Sequence, residues 1–330
     1  MSTWLLACCA MIAVMAVIGA VTRLTGSGLS ITEWKPIMGA IPPLNEAEWQ
    51  TAFTKYQQIP QYKIINSGIS LSEFKNIFFW EWLHRLWGRL IGIVFAAPFL
   101  WFAVRRQMTK PLTIKLLAIF ALGGLQGFIG WFMVQSGLEV RTSVSPYRLA
   151  IHLGLALLLY GLLLWVALGL RQERGYSPPL AGKVRGGVRH GIITLILLAT
   201  TIVWGAFTAG LHAGKAYNTW PLMEGDVLPA AAWTLQPAWI NAFENLALVQ
   251  FIHRWLAPLT MIIILSWVVR LWRRTPSKIV TALGVMAIIQ VALGLATLLT
   301  HTDITLATLH QAGAILLLTL VIVNLHRSRP

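Results

Sequence analysis

Eight separate stretches of this sequence are apolar over about the 20 residues that a helix needs to cross a hydrocarbon core of ~30 Å. They run over 4–24, 78–103, 112–134, 148–170, 190–211, 246–270, 278–300 and 304–325. Only helices and closed barrels satisfy their backbone groups in that solvent. The pattern therefore restricts the chain to an all-α polytopic membrane protein. Its composition agrees, since 57% of the 330 residues are hydrophobic and 11% charged, which excludes an ordinary soluble domain.

Positive charge sorts the connections into two kinds. Arg105, Arg106, Lys110 and Lys115 follow the second stretch; Arg171, Arg174, Lys183, Arg185 and Arg189 the fourth; Arg270, Arg273, Arg274 and Lys278 the sixth; Arg327 and Arg329 the eighth. The positive-inside rule makes these segments cytoplasmic and puts both termini inside. The net charge of +15 then has anionic membrane lipid, not nucleic acid, as its partner. The opposite face carries long loops at 25–77 and 212–245 and a shorter one at 135–147. Trp34, Trp80, Trp82, Trp220, Trp233 and Trp239 suit its interfacial belt. The tract Asn45-Glu46-Ala47-Glu48-Trp49 is helix-like, and Pro36, Pro42 and Pro43 argue for ordered irregular structure in the first loop.

Cys8 and Cys9 are adjacent within the first stretch, so neither staples an outer loop, and no Cys-x-x-Cys-His run offers covalent haem attachment. The chain enters its first stretch almost at once, with neither an Arg-rich transit segment nor a signal cleavage site. A bacterial inner membrane is the expected location.

The two halves repeat one another. Glu81-Trp82-Leu83-His84-Arg85 aligns with Gln250-Phe251-Ile252-His253-Arg254, and Arg148-Leu149-Ala150-Ile151-His152 with Leu306-Ala307-Thr308-Leu309-His310. Gln126-Gly127-Phe128-Ile129-Gly130 aligns with Gln290-Val291-Ala292-Leu293-Gly294. Thr32-Glu33-Trp34-Lys35-Pro36 aligns with Asn218-Thr219-Trp220-Pro221 with one residue inserted. Four anchors in one order indicate duplication, and predict two pseudo-symmetric four-helix bundles. The halves are 1–175 and 190–330, joined by a linker at 176–189.

His84, His152, His253 and His310 each fall within about two turns of the outer end of their apolar stretch, so all four occupy one layer. Ionisable groups inside a bilayer mark function, and two helices facing each other across a cavity can ligate a porphyrin iron through a histidine each. His84 with His152 would serve one haem, and His253 with His310 the other. The plainer alternative is a set of histidines bonded to neighbouring carbonyls and copied with the repeat. His190 and His326, at cytoplasmic ends beside basic residues, and His212 and His301, near outer ends without matching histidines, read as surface groups without an assigned role, with His212 and His301 alternatively near enough to a pocket to affect it.

Departures from the repeat separate the halves. Glu81 lies one turn before His84 on the same helix face, where the second half has the neutral Gln250. A carboxyl there suits a group that handles protons, or it pairs with Arg85. The first half is thus the candidate for chemistry and the second for a resident haem. Arg85 and Arg254 can hold haem propionates, and Arg89 and Arg148, present in the first half only, can position an anionic molecule. For all four the alternative is snorkelling to the interface. Gly123, Gly124, Gly127 and Gly130, with Gly284 and Gly294 opposite in the repeat, form seams for close approach of a helix or macrocycle. Gln126 and Gln290 line the pockets or bond helix to helix.

The runs Phe79-Trp80-Glu81-Trp82-Leu83-His84-Arg85-Leu86-Trp87-Gly88-Arg89, Gln126 to Leu138, Ser145 to Leu153 and Leu309-His310-Gln311-Ala312-Gly313 resemble the haem A synthase family, over essentially the whole chain. The resemblance implies oxidation of the C8 methyl of haem O to a formyl group through hydroxylated intermediates, for cytochrome oxidase. It implies haem b as cofactor in the C-terminal half on His253 and His310, and haem O as substrate, with haem A as product, in the N-terminal half on His84 and His152. Glu81 matches the family's essential carboxylate, for proton transfer or for stabilising a cationic intermediate at the methyl carbon. Implied partners are an electron-transfer protein or carrier, haem O synthase, cytochrome oxidase assembly factors and further copies of the chain in a homo-oligomer. Some bacterial members carry a cysteine pair in the first outer loop; this chain has none there and resembles the proteobacterial and mitochondrial branch. Two other functions use the same histidines: a di-haem b quinol-oxidising cytochrome, and a non-enzymatic haem carrier or assembly factor.

Overall fold

The computed structural model describes residues 1–34, 38–139, 141–173 and 187–329. Lys35 and Pro36 of the first loop, Arg174, Lys183 and Arg185, and the linker over 176–186 lie outside the described residues. Within them the chain forms α1 (Ser2–Leu24), α2 (Glu46–Tyr56), α3 (Pro60–Ile64), α4 (Leu71–Val104), α5 (Lys110–Leu138), α6 (Pro146–Gln172), α7 (Gly187–Gly210), α8 (Asn241–Glu244), α9 (Leu246–Trp272), α10 (Lys278–Leu299) and α11 (Ile304–Arg327), and no β-strand. All but α2, α3 and α8 are long and apolar enough to cross a membrane. The chain is an all-α multi-pass membrane protein, as expected.

Span ends fall within four residues of the expected ones, except that α4 begins at Leu71 and not at 78. The reason is a capping box: the Glu73 main-chain N–H donates to Ser70 Oγ, and Ser70 N–H donates back to the Glu73 carboxylate at 2.8 Å. This nucleates two extra turns before the apolar run begins. The extension carries Phe74 and Phe78 into the first outer loop, where α2, capped by Asn45, brings Trp49, Phe53 and Tyr56 against them. Ring centroids stand 5.0 Å apart for Phe53 and Phe74, 5.2 Å for Tyr56 and Phe74, and 4.9 Å for Trp49 and Phe78. Loop residues 45–74 are thus a folded cap with its own aromatic core.

The described chain divides into two compact units, residues 7–159 and residues 1–6 with 160–330. In the second, α7 packs on α9, α9 on α10, α10 on α11 and α11 on α7, closing a ring around Ile264, Trp267, Leu271 and Leu283. In the first, α4 packs on α5, and Trp87 Nε1 donates to the Met11 carbonyl at 2.9 Å, tying α4 to α1. Only 11% of α4's most apolar window and 6% of α5's are buried, against 22–33% for the four helices of the ring. Broad apolar flanks are therefore left uncovered on α4 and α5, whereas α1 and α6 are 33% and 39% buried over the same kind of window.

Two expectations need correction. No described helix packs on Gly123, Gly124 or Gly127 of α5, where a Cβ would meet nothing within 4 Å, so the seam is not one for close helix approach there; Gly130 and Gly294 do make close contacts, described below. His326 is not a surface group. It is 2% exposed and meets the Trp165 ring edge-on at 5.0 Å, because the packing of α11 carries it onto α6.

Phe74→Ala removes the centre of the cap's aromatic core and should destabilise it by about 3–5 kcal/mol. Limited proteolysis between residues 25 and 70 in detergent should accelerate; unchanged cleavage would mean that the cap does not depend on this core.

Candidate functional site

The long α4 accounts for the placing of the histidines. His84 lies thirteen residues after Leu71, whereas His152, His253 and His310 lie six, seven and six residues into their helices. Removing the seven residues 71–77 that precede the expected span brings His84 to the same depth as the other three.

In the C-terminal unit the His253 and His310 rings face each other with centroids 6.4 Å apart and planes at 79°. Two metal–nitrogen bonds of about 2 Å and two ring half-widths of about 1 Å sum to roughly 6 Å, the span of one iron held from both sides. The Thr201 carbonyl, 3.1 Å from His253 Nδ1, can only accept. The ring proton therefore sits on Nδ1, and Nε2 keeps its lone pair for a metal. Gln290 Nε2 donates to the His310 carbonyl at 2.9 Å and lies 3.1 Å from His310 Nδ1. In the N-terminal unit Gln126 Nε2 donates to the His152 carbonyl at 3.0 Å and lies 3.2 Å from Nδ1 and 3.4 Å from Nε2 of that ring. No group of three or more His, Cys, Asp or Glu that could hold a bare metal ion occurs among the described residues. Paired imidazoles suit an iron whose equatorial ligands come from a macrocycle, so the donor set fits haem.

Glu81 is buried beside this layer. Its Oε2 accepts from Ser30 Oγ at 2.8 Å and from the Ile31 main-chain N–H at 2.7 Å. Its Oε1 accepts from Arg85 Nε at 3.1 Å and Nη2 at 2.6 Å. Arg85 also donates to the carbonyls of Ile31 at 2.7 Å and Glu33 at 3.0 Å, and lies over the Trp34 ring at 5.6 Å. The ion pair expected as one of two readings is present, and it fastens the start of the first outer loop to α4.

The aligned residues of the other unit make a parallel arrangement with different electrostatics. Gln250 Nε2 donates to the carbonyls of Ala213 at 2.9 Å and Ala216 at 2.6 Å. Arg254 donates to the carbonyls of Tyr217 at 2.7 Å and Leu222 at 3.0 Å, and lies over Trp220 at 5.6 Å. Its Nε is buried with no hydrogen-bond partner, and among the described residues no carboxylate pairs with it. Arg85 thus has its charge matched by a carboxylate, whereas the buried Arg254 is held by main-chain carbonyls and Gln250.

The chain matches the model of the COX15-CtaA family, described as cytochrome oxidase assembly protein, over residues 2–322. It is 55% identical to the Heme A synthase of Rhodospirillum centenum, over 100% of this chain and 88% of that protein. It is 46% identical to the Heme A synthases of Nitrosomonas eutropha, over 96% of this chain and 90% of the relative, and of Paramagnetospirillum magneticum, over 98% and 92%. The chain belongs to this family.

The remaining candidate residues of this family member are placed less centrally. Arg148 Nη1 donates to the Phe132 carbonyl, and its guanidinium lies 3.5 Å from the Phe132 ring centroid. Arg89 is half-buried on α4. Sequence reasoning missed Ser30, the Ile31 N–H and Thr201. The polar run Thr25-Gly26-Ser27-Gly28 just after α1 signals a turn back toward the bundle, but nothing in it specifies Glu81 as the acceptor.

Arg85→Ala strands the buried Glu81 carboxylate and should cost about 3–5 kcal/mol of stability in detergent. The double variant Glu81→Gln with Arg85→Ala should recover part of it in a thermal unfolding cycle. Additive losses would show that the pair is not coupled.

Proposed function

We propose that this chain converts haem O to haem A, oxidising the C8 methyl to a formyl group for cytochrome oxidase. His84 and His152 hold the substrate iron in the N-terminal half. His253 and His310 hold a resident haem b in the C-terminal half, with Arg254 on a propionate. The two halves are a duplication, within 1–175 and 190–330. The observation that carries the reading is the unequal pair of arginine clusters beside the histidine layer, in a chain 55% identical to a Heme A synthase.

Arg254, with its buried and unmatched charge, is suited to a permanent anionic group, since a desolvated guanidinium is stabilised by a carboxylate. Arg85, already neutralised by Glu81, is suited to a site that empties and refills. The uncovered flanks of α4 and α5 support the same division, because an apolar, farnesyl-tailed substrate needs a way in from lipid, and the closed ring of α7, α9, α10 and α11 suits a resident group. Haem b supplies one-electron transfer when bound. Glu81 is the catalytic residue of the reading, holding negative charge toward the methyl carbon as positive character develops there. Arg89 and Arg148 position the substrate. The cytoplasmic basic segments support an inner-membrane location with both termini inside. An electron carrier, haem O synthase, oxidase assembly factors and further copies of the chain are the partners of this reading.

Purified from cells that make haem O, the native protein should yield haem b together with haem A or a hydroxylated precursor, identified by mass. Glu81→Gln should yield haem b with unconverted haem O. Two haem b per chain in both samples would overturn the proposal in favour of an electron-transfer cytochrome, and conversion that survives in Glu81→Gln would remove the catalytic role.

A further inference from the structure

Each of the four histidines rests against a glycine of another helix. A Cβ on Gly294 would stand 2.9 Å from His310 Cε1, and one on Gly205 2.9 Å from His253 Cε1. One on Gly130 would stand 3.0 Å from His152 Cε1, and one on Gly19 3.2 Å from His84 Nε2. All four lie inside ordinary van der Waals contact, so any side chain would turn the ring or part the helices. Helical glycine is not close-packed everywhere in this chain: Gly92, Gly124 and Gly154 would meet nothing within 4 Å. Other glycines are close-packed as well, since a Cβ on Gly191 would stand 2.6 Å from Trp267 and one on Gly137 2.6 Å from Leu29; these four are set apart by having a histidine of the proposed haem layer as the neighbour.

We propose that Gly19, Gly130, Gly205 and Gly294 are positioning residues that fix the imidazole orientation of the four haem ligands, with Gln126 and Gln290 as second holds on His152 and His310. The inference rests on the ligand reading above. Gln290 and Gly294 are four residues apart, as are Gln126 and Gly130, so each pair presents one helix face to one histidine. The glutamine amide meets Nδ1 and the histidine's own carbonyl, and the glycine leaves room for Cε1. For His310 the amide meets Nδ1 and the glycine Cε1, and for His253 the Thr201 carbonyl meets Nδ1 and Gly205 meets Cε1, so both rings are held along the Nδ1–Cε1 edge; Gln126 also lies 3.4 Å from His152 Nε2, and Gly19 meets His84 at Nε2. Holding a metal-bound imidazole through its outer edge tunes both its orientation and its donor strength.

The test uses the full chain purified with its own haem, read by electron paramagnetic resonance and by haem retained per chain. Gly294→Ala and Gly205→Ala should shift or broaden the low-spin bis-imidazole signal and lower haem retention several-fold. Gly92→Ala, at a helical glycine whose Cβ would meet nothing within 4 Å, should leave both unchanged. Alanine is the better helix former, so unfolding is not the default outcome; should Gly294→Ala fail to accumulate, Gln290→Met, which adds no bulk at the ring, decides by the same signal. Native signal and retention in the variants would overturn the proposal. His310→Ala separates the two inferences. A native low-spin signal in that variant defeats the ligand reading, whereas loss of it in His310→Ala alone defeats only the positioning role.

Discussion

Within a membrane span no water answers a polar side chain, so each such group must find its partner in the protein. Arg85 and Arg254 meet this constraint by pulling irregular backbone down onto the helices that carry them. Arg85 takes the carbonyls of Ile31 and Glu33, and Arg254 those of Tyr217 and Leu222. Each loop is thereby fixed one turn from a histidine of the proposed haem layer.

The difference between Glu81 and Gln250 reaches further than one charge. The first loop offers donors, the Ser30 hydroxyl and the Ile31 N–H, and the second offers acceptors, the Ala213 and Ala216 carbonyls. Glu81 can only accept, and the Gln250 amide donates. Carboxylate and amide are therefore matched to opposite backbone polarity, and exchanging them would leave unpaired groups on both sides. Side chain and loop are matched within each unit, which is why the two arginines differ in what neutralises them.

Much of this was legible in the sequence. The eight spans follow from length and hydropathy alone, and the depth of His152, His253 and His310 from their place in those spans. The early start of α4 was written in Ser70-Leu71-Ser72-Glu73, but an apolar-run criterion discards such a polar turn. The partners of Glu81 and the buried state of His326 were not legible, because they depend on contacts between segments far apart in the chain. The glutamine and glycine four residues apart were visible as an aligned pattern. That they grip a histidine of the next helix needed the packing.

Glu81 bears on how the proposed reaction uses charge. A carboxylate has about four lone-pair sites, and Ser30, the Ile31 N–H and two nitrogens of Arg85 donate to it. A proton can enter only if one donor leaves, and every donor sits either on the anchored loop or on the arginine that anchors it. The resting geometry thus favours fixed negative charge over proton shuttling, and preorganised charge stabilises a developing cation without reorganisation at the moment of reaction. Proton transfer through Glu81 would require the loop to lift from α4. On this view the clamp on Ile31 and Glu33 sets which of the two roles the carboxylate can play.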